Sequence, residues 1–288
     1  MNKKRYILPI VLICTLVFMS SCNNITDDTT QQTPDPEPEP PVEEVEQRLI
    51  SMIKDSRDDF AITYYFGYDD LDRIDRVYRG EDEYWELFEI DYVSDDFIKV
   101  KLYLEYNEPS CYLEDEFYLF LNENGYVESN EGFGGEYTYN NNGYLIKSEY
   151  NTQYYSATYD IRWRNGNIFS IVEKAEWGNR NYFIQSNTKN LNMVNIDLSK
   201  FMIDHHCGLM YYYSFPLDIW GTPSNNYITS FNSSNEDSNE YDSIHYNWAY
   251  DNDGYPRLCR VTFSEDETDF SNWLYEISYI DETGELEP

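Results

Sequence analysis

The chain has 288 residues, with 54 Asp and Glu against 20 Lys and Arg, for a formal net charge of −34. A chain so acidic repels phosphate backbones and anionic lipid, which excludes nucleic acid as an expected partner. With 30 Tyr, 15 Phe and 6 Trp it has ample aromatic surface for one large domain, above all an all-β one.

The first segment is an export signal. Asn2, Lys3, Lys4 and Arg5 form a short basic start, and Tyr6 to Met19 is mostly apolar. An apolar core of this length falls short of the roughly 20 residues that span a bilayer. Met19, Ser20, Ser21 and Cys22 resemble the lipobox of bacterial lipoprotein signals. That resemblance implies cleavage after residue 21, lipidation of Cys22, and membrane attachment through the lipid. Residues 22–44 carry the lipidated cysteine and an acidic, Pro-rich tether, "NNITDDTTQQTPDPEPEPPVEE" after Cys22. Such a composition cannot bury a core, and its Pro-rich half is expected to extend at about 3.1 Å per residue. Asp27 and Asp28 resemble the acidic patch that accompanies surface display in some gut anaerobes. The expected location is therefore the outer membrane, lipid-anchored at the cell surface, with the periplasmic face as the alternative.

Residues 45–59 read as a short helix, because Val45, Leu49, Met52 and Ile53 fall at i, i+4, i+7 and i+8. From residue 60 to 288 the pattern is period 2, read as a single β-rich domain. Tyr155, Ala157, Tyr159, Ile161 and Trp163 alternate with Ser156, Thr158, Asp160 and Arg162. Val100, Leu102, Leu104 and Tyr106 alternate in the same way, as do Ile244, Tyr246, Trp248 and Tyr250. Alternation marks strands with one covered and one wetter face. No long helical pattern separates these runs, so the expected fold is all-β. It is a curled antiparallel meander, or an open barrel-like sheet, of consecutive hairpins.

A turn motif recurs: "FGYDDLDRI" at 66–74, "LFLNENGYV" at 119–127, "YTYNNNGYL" at 137–145 and "WAYDNDGYP" at 248–256. Looser copies are "IRWRNGNI" at 161–168 and "SYIDETGEL" at 278–286. Asn, Asp and Gly tolerate the left-handed backbone that tight hairpins need. These stretches resemble the tyrosine-aspartate repeats of Rhs-type surface proteins. Together with "GTPSNNYI" at 221–228, the succession is similar to an uncharacterised family of gut-anaerobe surface lipoproteins with a porin-like fold. The resemblance implies an open curled sheet or barrel and carries over no catalytic residue.

Candidate chemistry is sparse. His205, His206 and Cys207 are adjacent, but neighbours on a strand face opposite ways and would not share a metal. "DNDG" at 251–254 lacks the acid and terminal Glu of a calcium loop and reads as a turn. No serine sits in a nucleophile elbow. No catalytic residue, metal or cofactor is assigned, and the chain is read as a non-enzyme. Of the cysteines, Cys111, Cys207 and Cys259 remain beyond Cys22; one disulfide with a spare thiol and three buried thiols are both open. "DTT" at 28–30 and "DSI" at 242–244 resemble an O-glycosylation signal of exported proteins.

The functional lead is aromatic. Trp177, Trp220 and Trp273 lie near expected loops, Tyr211 and Tyr213 belong to a run that puts aromatics on both sheet faces, and all five are candidate contacts for a glycan or protein ligand. The expected function is a surface-displayed binding or adhesion module. The alternative is a structural envelope-accessory lipoprotein with no small ligand. A membrane pore is disfavoured because Lys99, Lys101, Arg162 and Arg164 crowd one strand face.

Overall fold

The computed structural model describes residues 47–57, 60–81, 84–106, 112–131, 134–152, 156–176, 178–207, 216–235, 241–263 and 273–280. The signal segment, Cys22, the tether, Cys111, Trp177, Tyr211 and Tyr213 lie outside them.

The strands are β1 (Ile50–Arg57), β2 (Phe60–Tyr68), β3 (Ile74–Glu81), β4 (Tyr84–Tyr92), β5 (Phe97–Tyr106), β6 (Tyr112–Leu121), β7 (Val127–Asn130) and β8 (Gly135–Tyr139). They continue with β9 (Leu145–Asn151), β10 (Ser156–Arg164), β11 (Asn167–Ala175) and β12 (Gly178–Leu191). After one helix, α1 (Leu198–Cys207), come β13 (Asn226–Asn235), β14 (Tyr241–Tyr250), β15 (Pro256–Phe263) and β16 (Trp273–Tyr279). Each strand pairs antiparallel with its sequence neighbours, and β1 pairs with β16, so the sheet closes into a barrel. Closure removes the two unpaired edges that an open sheet would leave exposed.

Where a helix is expected over 45–59, the described residues Ile50–Arg57 form a strand instead. β1 has a bulge between Ile50 and Met52. Ile50 and Ile53 are therefore both fully buried at a spacing of three, and that spacing imitates a helix. The real determinants are distant: the ladder from Met52 to Ser278 on β16 and to Tyr65 on β2.

Four of the recurring turns are one structure, while residues 281–286 of the "SYIDETGEL" copy lie outside the described residues. In each, the first Asx side chain accepts the backbone N–H groups two and four residues on. Asp69 accepts from Leu71 and Arg73, Asn122 from Asn124 and Tyr126, Asn140 from Asn142 and Tyr144, and Asp251 from Asp253 and Tyr255. The fourth residue is left-handed: Asp72 at φ 58°, Gly125 at 76°, Gly143 at 77° and Gly254 at 89°. The "NG" copy is a two-residue turn with both Asn165 and Gly166 left-handed. All these turns lie at one end of the barrel, which we call the turn end.

A second device repeats beside them. A ring near the end of one strand donates to the carbonyl at or near the start of the strand before it. Tyr68 reaches Ile50, Tyr92 reaches Ile74, Tyr139 reaches Val127, Trp163 reaches Leu145, Trp248 reaches Ile228 and Tyr279 reaches Pro256, all at 2.5–3.0 Å. The residue just before the receiving strand position often covers that ring. Arg73 lies 3.9 Å from the Tyr92 centroid, and Tyr126, Tyr144, Tyr227 and Tyr255 pack on Tyr139, Trp163, Trp248 and Tyr279. So the tyrosines that follow the turns clamp neighbouring hairpin ends, and each clamp satisfies a rim carbonyl.

Candidate binding surfaces of the barrel

The wall has two chemically opposite faces. Inward positions are apolar and buried, including Ile53, Phe66, Val77, Ile90, Val100, Leu119, Ile161, Ile171, Ile244 and Val261. Outward positions carry ion pairs well inside the strands. Lys99 meets Glu116 at 2.6 Å, Lys101 meets Asp91 at 2.9 Å, Lys147 meets Glu149 at 2.8 Å and Lys174 meets Asp160 at 2.6 Å. A membrane-spanning barrel needs the reverse, an outward apolar band around a polar interior. Among the described residues no helix is long and apolar enough to cross a membrane.

A barrel of 16 strands encloses a channel unless something fills it. Here α1, within the connection from β12 to β13, lies inside and packs against the inner wall. Asp197 caps α1 by accepting from the N–H groups of Ser199 and Lys200, and its other oxygen accepts from Ser224 N–H at 2.6 Å. Leu198, Phe201, Met202 and Ile203 are fully buried. Phe201 packs on Tyr64 of β2 and Tyr275 of β16, and His206 on Phe231, Tyr246 and Trp273. The helix therefore packs from inside along the arc of wall that runs from β13 through β16 to β2. Lys200 is buried and donates to the carbonyls of Trp220, Gly221 and Thr222 at 2.9–3.1 Å. Burial pushes its pKa down to about 8, against the pull of Asp197. The return segment then crosses the turn end, where Ile219 accepts from Val127 N–H and Thr222 N–H donates to Gly143.

The charged groups inside the wall are paired, while the buried hydroxyls of Tyr246 and Tyr275 have no hydrogen-bond partner. Arg57 meets Asp55 at 2.9 Å and lies 4.0 Å from the Trp273 ring centroid, and the Trp273 indole also donates to Asp55. Burial raises the Asp55 carboxyl above its ordinary value, opposed by Arg57 and Trp273. Glu173 accepts from the hydroxyls of Tyr159 and Tyr182, and Arg79 pairs with Glu86.

Two of the aromatics expected at a ligand are core residues. Trp220 is 1% exposed and packs edge-on against Tyr137. Trp273 is 6% exposed inside the barrel. Both sit near chain reversals, so the sequence placed them at loops, but their rings turn into the lumen. His206 and Cys207 end α1 rather than a strand; the Cys207 thiol donates to Ile203 and both Cys207 and Cys259 are free thiols. Among the described residues no group of three or more His, Cys, Asp or Glu is arranged to hold a metal ion. Ser243 in "DSI" is buried and donates to Asn232 at 2.6 Å, so the folded wall does not present it for glycosylation.

The aromatic surface lies instead on the outer wall, where alternation alone did not single it out. Met52, Tyr65, Tyr78, Leu87, Tyr103 and Leu113 pair in register across β1 to β6. Trp85 stacks on Tyr78 with centroids 4.7 Å apart and lies 6.0 Å from Tyr65. Gly80 makes room for it: a Cβ there would stand 2.8 Å from the Trp85 backbone. Beside Tyr65 a groove of about 490 Å³ is lined by Lys54, Thr63, Arg257, Glu276 and Ser278. It combines a ring with donors and acceptors, the usual make-up of a ligand surface.

The barrel resembles a crystallised porin-like protein from Bacteroides uniformis, with a TM-score of 0.55 over 80% of this chain and 97% of that one. The fold is porin-like. At 15% identity the likeness speaks to architecture alone. A porin-like protein from Bacteroides vulgatus aligns at 12% identity over 81% of this chain and 99% of that one, with a TM-score of 0.49. No protein-family model and no curated protein sequence matches the chain.

Proposed function

We propose that this chain is a lipid-anchored envelope protein whose barrel stands outside the bilayer as a binding module. Cys22 carries the anchor, the acidic Pro-rich segment is the stalk, and the porin-like barrel is a rigid scaffold rather than a conduit. One observation carries this reading: the buried apolar lumen is filled by α1, while the outer wall is studded with ion pairs. Placing Lys or Arg on the lipid face of a barrel costs about 2–4 kcal/mol at the bilayer midplane, and this wall would do so on several strands. The outer aromatic row and its groove suit a glycan or protein ligand, and the role is binding rather than catalysis.

Detergent phase partitioning of the full chain tests the anchor. Wild type is expected in the detergent phase and Cys22→Ala in the aqueous phase. A Cys22→Ala protein that stays in membranes, or that opens conductance in a planar bilayer, would overturn the proposal. Protease shaving of whole cells tests surface display, since a periplasmic barrel survives it. A glycan array probed with soluble Cys22→Ala protein tests the glycan version. Failure on the array, with co-purification of an envelope protein, would move the ligand to protein.

A further inference from the structure

The clamp at the turn end is missing from the β5–β6 hairpin. Leu121 ends β6 and pairs with Val127, as Tyr68 pairs with Ile74, Tyr92 with Ile98 and Tyr139 with Leu145. It stands where the clamp ring stands elsewhere, yet leucine has neither ring nor donor. A cavity of about 590 Å³ opens at that point, between the β4–β5 and β6–β7 turns and against Asp218 and Ile219 of the return segment. Its volume falls within the range of roughly 300–1,000 Å³ typical of small-ligand sites.

The lining states what would fit. Ile98, Leu121 and Ile219 are apolar, and the Tyr92 ring stands beside them. Around the mouth are the carboxylates of Asp95, Asp96, Glu123 and Asp218. Among the described residues the one cation in the lining is Arg73, which is bonded to Asp69 at 2.6 and 2.8 Å and lies over the Tyr92 ring. Burial holds the Asp218 carboxyl above its ordinary pKa even though part of the residue is exposed, so a nearby positive charge would stabilise it.

We infer that this cavity binds a small six-membered ring carrying a protonated amine. The ring takes the place that a tyrosine or tryptophan fills in the clamped hairpins, and the amine faces the carboxylates. The missing clamp sets the body of the ligand, and the acids set only its charge. The inference rests on the barrel being a binding module and names a ligand class for it. Two sources share this chemistry, an aromatic amine and an amino sugar.

Titration calorimetry on full-chain Cys22→Ala protein separates them, with tyramine and glucosamine as probes and p-cresol and N-acetylglucosamine as their uncharged counterparts. At least one amine is expected to bind, and its counterpart to bind at least about tenfold more weakly, a difference of about 1.4 kcal/mol. Leu121→Tyr supplies the missing clamp; it is expected to raise Tm and to weaken amine binding at least about tenfold. Asp218→Asn keeps the fold and is expected to weaken the amine without affecting the uncharged probe. Equal binding of charged and uncharged probes, no binding of either amine, or amine binding that survives Leu121→Tyr would each overturn the site. If the amines fail while a glycan or protein binds Leu121→Tyr as well as it binds wild type, the site is lost and the binding module stands. If nothing binds either protein, both are lost.

Discussion

The wall and its plug are held together in different ways. The wall is local and repetitive. Four hairpin turns use an Asx side chain and a left-handed residue, and most hairpins are clamped by a ring to an adjacent strand. The plug is non-local. α1 has only ten residues, too few for a stable isolated helix in water, and it survives because nearly every side the wall can touch is buried. The contrast teaches where specificity resides: the wall tolerates variation from hairpin to hairpin, whereas the plug depends on a few contacts with no substitute.

The largest effect should come from the plug. Phe201→Ala removes a ring that packs on β2 and β16, the strands on either side of β1, and should cost about 3–5 kcal/mol, read from urea unfolding. A loss below about 1 kcal/mol would mean that the helix is not packed in the lumen.

Next is Lys200→Met, which leaves three buried carbonyls without their donor and should cost about 2–4 kcal/mol. It also carries a pH signature. The folded pKa is lowered to about 8, below the unfolded lysine value of about 10.4. Between those values the unfolded chain holds a proton that the folded one has released, so this group makes stability rise with pH from about 8 to about 10. Denaturation at several pH values should show that slope in wild type and not in Lys200→Met.

A wall clamp is worth less. Trp163→Phe keeps the ring but removes its bond to Leu145, with an expected cost of about 1–2 kcal/mol in the same assay. If Trp163→Phe matches Phe201→Ala, the distinction between wall and plug fails.

The smallest and sharpest comparison uses two turn glycines. Gly125→Ala meets nothing within 4 Å and should cost only its left-handed strain, about 1–2 kcal/mol. At Gly143 the new Cβ would also stand 2.5 Å from Thr222 Oγ1 and 2.7 Å from Tyr126 Oη, so Gly143→Ala should cost more. Equal losses would show that the return segment does not press on the β8–β9 turn.

Much of the wall was legible. "YTYNNNGYL" is a turn because Asn140 can accept from Asn142 and Tyr144 without help from the rest of the chain. The inward set Ala157, Tyr159 and Ile161 was legible for the same local reason, the pleat. β1 was not, because a bulge gave it a helical spacing. The candidate contacts Trp220 and Trp273 were misplaced because tryptophans near reversals look alike in sequence whether they face water or a lumen. The outer row from Met52 to Leu113 was invisible too, since its members come from six separate strands.

The sequence by itself determined the turn positions, the strand faces and the acidity of the chain. These depend on residues within a few positions of one another, where backbone preference and side-chain alternation act directly. Only the tertiary structure decided that β1 meets β16, that "LSKFMIDHHC" is a buried plug despite its charges, and that the β5–β6 hairpin lacks its clamp. Each of those depends on partners far along the chain, and no local preference encodes which surfaces a closed sheet brings together.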